Sequence, residues 1–303
     1  MTNEATTPNG NRIRFEAIDA TAFQHPLDRQ ATENLKKLVG FDLLVAKFLE
    51  FGFERLWYVY NIASAVRVGP KQFPTIYGML RESCAILDLP EPELYVIQAP
   101  MVNAFTNGHT KPYIMLYTGL LELLDEDEIM NVVAHELGHI KCGHVLYSTM
   151  ANLLGSLTLQ IDRATFGLGL PLYMAILAAL VNWRRLSEYS ADRAGLLVMQ
   201  NPRPVITTLT KFAGGTHRFA NELDPDEFLQ QARIYTEEID QQSFIDRLYR
   251  ILAATDLVRT HPFTVERVKE IDVWANGPEY ADIMTGNYPR GVRRVQIRVQ
   301  AEA

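Results

Sequence analysis

The chain is poor in cysteine, since only Cys84 and Cys142 occur among its 303 residues. Two cysteines cannot build the disulfide framework of a small secreted domain, so we expect a reducing compartment. The chain also lacks an excess of positive charge, because its formal net charge is −7 at pH 7. With no basic and aromatic stretch either, this balance argues against a nucleic-acid partner. Residues 1–12 lack the apolar core of a secretory signal, and we expect a flexible tail there in a cytoplasmic protein.

Repeats and low-complexity segments are absent as well, and the composition is that of a folded globular protein, with 48% hydrophobic and 21% charged residues. Apolar residues recur at helical spacing over 13–67, which predicts an N-terminal helical segment covering 13–72. We expect one main domain over residues 73–290. The remaining residues, 291–303, alternate apolar and basic side chains and are predicted to be a tail or an edge strand.

The most informative stretch covers residues 124–144. Asp125 is a suitable N-cap and Glu128 follows three residues later, which is the pattern of a capping box. Apolar residues recur at helical spacing after it, and Gly143 is suited to closing the C-terminal end. The sequence therefore predicts a helix here.

This helix carries an HExxH motif, formed by His135, Glu136 and His139. At about 100° per residue the two histidines lie on one face, one turn apart. Two imidazoles so spaced can bind one Zn²⁺, and the intervening carboxylate can act as general base towards a water that the metal activates. The alternative is a surface helix with two solvated histidines, but such histidines seldom follow a buried apolar run.

A catalytic zinc needs a third protein ligand and an open coordination position. Glu188 and Asp192 lie one turn apart on a later predicted helix and share a face with Ala191 and Gly195. These small residues would let that helix approach the HExxH helix closely, so that Glu188 completes a His-His-Glu site and Asp192 orients a ligand histidine. A solvated acidic pair is the alternative. Thiolate ligation by Cys142 is another, although a small buried residue is favoured there.

Short runs of β-branched and aromatic residues at 94–97 and 113–117 predict two strands, with Asn103, Ala104 and Phe105 between them. We therefore expect a small sheet immediately before the HExxH helix. An exposed edge strand at these three residues can hold an extended peptide by main-chain hydrogen bonds. An ordinary strand end is the alternative.

The longest uncharged run covers residues 166–183 and reaches the lower limit for spanning a hydrocarbon core of about 30 Å. Two glycines, a proline and Asn182 weaken it, so we predict a buried helical hairpin over 145–183. Contact with a membrane surface, or insertion, through the same residues is the alternative.

The HELGH motif, followed by Glu188 in an E-x-x-x-D-x-x-G pattern, resembles the HtpX-like and CAAX-prenyl-endopeptidase family of gluzincin metallopeptidases. The resemblance covers about residues 75–275. It implies an α+β, predominantly helical, zincin-like fold with a small sheet beside the HExxH helix. It also implies a zinc metalloendopeptidase that holds one Zn²⁺ and acts on a protein or peptide substrate, with a role in protein quality control.

The family also has a late His-Pro motif, which His261, Pro262 and Arg267 resemble. The resemblance implies that His261 stabilises the transition state. Arg267, six positions later in a predicted helix, can return its guanidinium to the cleft and pair with an acid such as Asp192 or with the substrate. The alternative is that His261 only caps the following helix. Asn103, Ala104 and Phe105 resemble the substrate-binding edge strand of the family.

Two other functions stay open from the sequence. The first is a protease of the same chemistry that docks on a membrane through residues 145–183. The second is a non-catalytic, zinc-stabilised interaction module that acts through the aromatic residues of the N-terminal helices. Retention of Glu136 favours the enzyme, because a general base has little structural purpose in such a module.

Overall fold

A computed structural model describes residues 12–38, 53–152, 170–241 and 261–291, together with positions 41, 43, 45 and 154. The predicted flexible tail and the predicted C-terminal edge strand lie outside these residues. So does the middle of the predicted hairpin, residues 155–169.

The described chain is mainly helical, and the predicted α+β class is confirmed. Its α-helices are α1 (Pro26–Lys36), α2 (Phe53–Ser64), α3 (Pro74–Leu87), α4 (Thr118–Leu123), α5 (Glu126–Lys141), α6 (Leu170–Met199), α7 (Pro202–Gly214), α8 (Pro225–Gln241), α9 (Thr264–Ala275) and α10 (Pro278–Met284). Short 3-10 segments lie at Ala20–Ala22 and His217–Glu222, and residues 145–152 are also helical.

Four strands form one mixed sheet in the order β1-β2-β4-β3. They are β1 (Val66–Arg67), β2 (Glu93–Ile97), β3 (Ala104–Asn107) and β4 (Tyr113–Tyr117). Strands β2 and β4 run parallel, whereas β1 and β3 pair antiparallel with their neighbours. The sheet predicted before the HExxH helix is therefore present, and β3 is an edge strand as expected.

The register of β3 decides which of its main-chain groups face the open edge. Ala104 pairs with Leu116 of β4, and the N–H of Tyr117 donates to the carbonyl of Asn103 at 3.1 Å. Hydrogen-bonded and non-hydrogen-bonded pairs alternate along an antiparallel ladder. The N–H and C=O groups of Ala104 and Thr106 therefore point away from β4.

Helix α5 has both predicted ends. At its start, Glu128 N–H donates to Asp125 Oδ1 at 3.0 Å and Asp125 N–H donates to Glu128 Oε2 at 2.8 Å, which completes the capping box. At its end, Gly143 has a φ of 74°. The next amide, that of His144, donates to the carbonyl of His139 at 2.9 Å in a Schellman arrangement. This turn carries His144 back beside the last turn of the helix.

Helix α6 is continuous over 30 residues, so the prediction of an apolar helix ending near residue 183 and a separate helix around Glu188 was wrong. No glycine or proline lies between Trp183 and Glu188, and Arg and Leu are strong helix formers, so nothing there ends the helix. Its first part buries Tyr173, Leu180 and Trp183 on one face. Among the described residues, none of the helices combines the length and apolarity that a membrane span requires.

Helices α5 and α6 approach each other through small residues, as predicted. A Cβ atom added at Gly138 would lie 2.7 Å from the Cβ of Ala194, and one at Gly195 would lie 2.5 Å from Asn131 Oδ1. Larger side chains would force the two helices apart. The close approach places the acids of α6 beside the histidines of α5.

The start of the described chain differs from the prediction of helix from residue 13. Residues 12–19 form no helix, and the first α-helix begins only at Pro26, where the fixed φ of proline suits the first helical position. Phe15 and Ile18 are instead buried in the main core, and Phe15 N–H donates to the carbonyl of Ile86 at 2.9 Å. The apolar spacing here reflects burial of an extended segment rather than an amphipathic helix.

Candidate active site

Three side chains from two helices converge at one end of the α5–α6 contact. His135 Nε2 lies 3.5 Å from Glu188 Oε2, and His139 Nε2 lies 3.4 Å from Glu188 Oε1. One donor atom from each of the three residues lies within 4.8 Å of the others, and no second group of this kind occurs in the part of the chain that the structure describes. The three ligands predicted from the sequence are therefore brought together.

The donor set fits a metal cation. The Glu188 side chain is buried, and its Oε2 lies 2.7 Å from His261 Nδ1 and 3.5 Å from Arg267 Nη1. Burial alone raises the pKa of the Glu188 carboxyl, but His261 and the two ligand histidines outweigh it and hold the pKa well below its usual value. An ionised carboxylate with two imidazoles is the ligand set of a catalytic zinc that keeps one coordination position open.

His135 is supported by an acid and an arginine behind it. Asp192 Oδ1 lies 2.9 Å from His135 Nδ1, and Arg267 donates to both Asp192 oxygens at 2.8 and 2.6 Å. Burial raises the pKa of Asp192, but Arg267 outweighs it and keeps the carboxylate ionised. Burial lowers the pKa of His135, yet Asp192 and Glu188 together raise it to about 10. Positive charge is thus favoured between His135 and Glu188, and a metal cation supplies it.

Glu136 lies beside these ligands without joining them. Its side chain is buried, and Thr106 Oγ1 on β3 donates to Glu136 Oε2 at 2.6 Å. Thr106 was not predicted from the sequence. The signal was present, because Ala104 and Thr106 fall on the same face of a strand with a period of two residues.

A cleft of about 620 Å³ opens over the site. Among the residues that line it are Asn103, Ala104, His135, Glu136, Glu188, His261 and Arg267. Phe105 is the exception among the predicted substrate-binding residues, because its ring packs against Tyr113 and Tyr117 with centroids 6.4 and 6.1 Å apart. Strand alternation turns this side chain to the other face of the sheet, and binding of substrate at Phe105 stays a prediction.

Comparison with known proteins agrees with this geometry. The family model "Peptidase family M48" matches residues 70–275. The chain belongs to this family. It is 36% identical over 276 residues to the plastoglobule-localized metallopeptidase 48 of Arabidopsis thaliana, an alignment that covers 90% of this chain and 77% of the relative. No solved structure matches.

Two further relatives, both HtpX protease homologs, extend the comparison. The HtpX protease homolog of Methylibium petroleiphilum is 28% identical over 256 residues, covering 77% of this chain and 87% of the relative. That of Burkholderia ambifaria is 27% identical over 256 residues, covering 77% and 86%. The predicted HtpX-like resemblance is confirmed, and this M48 peptidase is a metalloprotease that acts on a peptide or protein substrate.

Like Thr106, the contact between His139 and His144 of this M48 peptidase was not predicted from the sequence. His139 Nδ1 lies 3.0 Å from His144 Nδ1, so the second histidine of the HExxH motif also has a polar side chain behind it. The run HIKCGH shows that His144 is near His139 in sequence, but only the C-terminal turn of α5 reveals that the rings meet. Cys142 at the same turn is half-buried and does not belong to the group of possible metal-binding residues, which contains His135, His139 and Glu188.

Proposed function

We propose that this M48 metalloprotease is a zinc-dependent endopeptidase whose metal is held by His135, His139 and Glu188. The observation that carries the proposal is the convergence of two imidazoles and one buried carboxylate, with one donor atom from each within 4.8 Å of the others. Zinc, when bound there, supplies a Lewis acid and lowers the pKa of a water molecule. The remaining chemistry belongs to the side chains around it.

In this proposal Glu136 is the general base. It lies next in sequence to one ligand and lines the cleft, so its carboxylate can take a proton from an attacking water and return it to the leaving amine. The Thr106 hydroxyl donates to Oε2, which leaves Oε1 for the proton. Holding the carboxylate from β3 also keeps it at a fixed distance from the edge strand.

Substrate binding is assigned to β3. The outward N–H and C=O groups of Ala104 and Thr106 can pair with an extended peptide, as in β-strand addition. Asn103 and Ala104 line the cleft, so a peptide on this edge passes the metal ligands. A chain held in this way continues beyond the site in both directions, which favours cleavage within a polypeptide over trimming at its end.

His261 is proposed to donate to the substrate oxygen that becomes negative in the transition state. Its side chain is 45% exposed, lines the cleft and lies beside Glu188. A donor aimed at developing charge contributes mainly in the transition state. His261→Phe should therefore keep bound zinc and KM while kcat falls about 100-fold. An unchanged kcat in a folded, zinc-loaded variant would assign His261 a structural role only.

The proposal as a whole is tested with two substitutions one turn apart. Glu136→Gln should retain about one zinc per chain by elemental analysis and lose cleavage of casein, because it removes only the base. His139→Ala should lose both, because it removes a ligand. Equal zinc in His139→Ala and wild type would remove the proposed site, and loss of zinc from Glu136→Gln would reverse the role of that residue.

Two further predictions remain attached to this function. A role in protein quality control predicts that unfolded casein is cleaved faster than a folded protein of similar size. A zinc-loaded wild type that cleaves neither would favour the interaction module instead.

If residues 145–183 form a buried hairpin, the full-length protein should not float with liposomes, whereas membrane contact through these residues predicts that it does.

A further inference from the structure

A buried chain of polar side chains leads from His139 away from the cleft. His139 Nδ1 lies 3.0 Å from His144 Nδ1, and His144 Nε2 lies 3.0 Å from Asp28 Oδ2 on helix α1. His144 is 1% exposed and Asp28 is 0% exposed. Burial of an ionisable group costs free energy unless the group is paired. The burial of both His144 and Asp28 next to His139 therefore suggests a specific role for this pair.

The members of this chain are held in place from several elements. Ser190 of α6 donates to Asp28 Oδ2 at 2.6 Å, and Gln24 donates to the same oxygen at 3.0 Å. The indole of Trp183 packs edge-on against the His144 ring at a centroid distance of 5.5 Å. The Schellman turn at Gly143 fixes where the backbone of His144 lies. The arrangement therefore permits little rotation of either imidazole.

The hydrogen-bond partners determine which nitrogens carry hydrogen. His139 Nε2 faces Glu188, so metal binding uses that nitrogen and leaves the hydrogen on Nδ1. His139 Nδ1–H then donates to His144 Nδ1, and His144 Nε2–H donates to Asp28. Burial raises the pKa of Asp28, but its hydrogen bonds from His144, Ser190 and Gln24 outweigh this and keep it ionised. Every group in the chain then has a partner of the correct kind.

We propose that His144 and Asp28 are positioning residues that hold His139 in the orientation that binds the metal, which makes helix α1 part of the metal site. This rests on the proposed zinc function. Asp28 lies before residue 70, where the match to the family model begins. The site thus has two supports of similar design: Asp192 and Arg267 behind His135, and His144 and Asp28 behind His139.

The test measures zinc affinity of the full-length apoprotein by competition with a chromogenic chelator, independently of catalysis. His144→Phe keeps an aromatic ring at this position but removes both hydrogen bonds of the imidazole, and Asp28→Asn removes the negative charge of the carboxylate. Each should weaken zinc binding about 10- to 100-fold, as substitutions of residues that orient metal ligands do. His144→Gln, which keeps one acceptor and one donor, should recover part of the loss. Circular dichroism and thermal unfolding report whether each variant is folded.

Two controls separate positioning from general stability. Leu35→Ala removes apolar packing from the same helix, α1, where Leu35 is 2% exposed, but it breaks no hydrogen bond. It should lower the melting temperature and leave zinc affinity within about twofold of wild type. In addition, Asp28→Asn should have little further effect on affinity in a His144→Phe background, because the chain is already interrupted there.

Several results would overturn the inference. Folded His144→Phe and Asp28→Asn proteins with wild-type zinc affinity would do so while leaving the proposed function intact. So would a Leu35→Ala protein that loses as much affinity as either, or fully additive effects in the double variant. If His144→Phe does not fold, the same comparison is made with His144→Gln, whose affinity should lie below wild type. A wild-type protein that binds no zinc would instead overturn the proposed function itself.

Discussion

The two halves of helix α6 belong to one continuous element but pack in opposite ways. In the contact half, residues 187–199, every side chain is buried, and small residues meet the HExxH helix. In the outer half, residues 173–186, exposed and buried positions alternate with the helical period. The large buried residues there, Tyr173, Leu180 and Trp183, form a second core with Leu35 of α1 and with Met150, Ala151 and Leu154.

This difference shows how one helix can serve two needs. Metal ligands on separate helices must bring their donor atoms within a few ångströms of one another. In this chain, glycine and alanine at the contact let the two backbones approach closely. Attachment of the surrounding layer needs apolar area, which only large side chains provide. Because the helix is unbroken at residue 186, α1 packs on the same element that carries the contact half. Asp28 and Ser190 meet in this way.

The largest combined effect on stability and zinc binding is expected from loss of the arginine that pairs with Asp192 in the contact half. Arg267→Ala leaves Asp192 as an uncompensated buried charge, which should lower the free energy of unfolding by about 3–5 kcal/mol and weaken zinc binding. Urea unfolding with and without zinc measures both. The matched control is Arg233→Ala, which breaks a more exposed pair with Asp272 and should cost less than about 1 kcal/mol. Equal losses in the two variants would contradict the special role of the contact half.

A smaller effect is expected where the backbones touch. Gly138→Val adds a side chain whose Cβ would lie 2.7 Å from Ala194 Cβ and 3.0 Å from Ala191 Cα, so the helices must separate. Overpacking of this kind should cost about 1–3 kcal/mol and reduce zinc retention during dialysis. Ala175→Val on the exposed face of the outer half is the control and should cost about 0.5 kcal/mol, from helix propensity alone. Full zinc retention in Gly138→Val would show that the close approach is not needed.

The smallest expected effect on the metal comes from the outer half. Leu180→Ala empties a fully buried position in the second core and should lower the free energy of unfolding by about 2–5 kcal/mol. Below its melting temperature, however, zinc affinity should stay within about twofold of wild type, because no ligand or supporting residue is touched. Affinity that falls with stability would mean that the two halves are not separable.

The sequence predicted the metal ligands because their spacing is local. His135 and His139 are one turn apart on a single helix. The sequence also indicates both ends of this helix, through the N-cap Asp125 and through Gly143 at the C-terminal end. Glu188 was found because the small residues around it indicated a close helix contact. The strands at 93–97 and 113–117 were found from their composition. Helix α6 was divided wrongly because a change from apolar to charged residues looks like an end, although it only marks a change of neighbours.

The sequence by itself thus indicated the fold class, the HExxH helix with its caps, and the three residues of the candidate metal-binding set. Only the tertiary structure decided which side of β3 faces the cleft, that Thr106 holds Glu136, and that His139 is linked through His144 to Asp28. The physical reason is distance along the chain. A capping box or an i, i+4 pair is fixed by the geometry of one turn, whereas Asp28 reaches His144 only after α1 packs on α6. That packing is driven by burial of apolar area. Because this driving force is non-directional, the apolar residues of α1 do not show in the sequence which helix they will pack against.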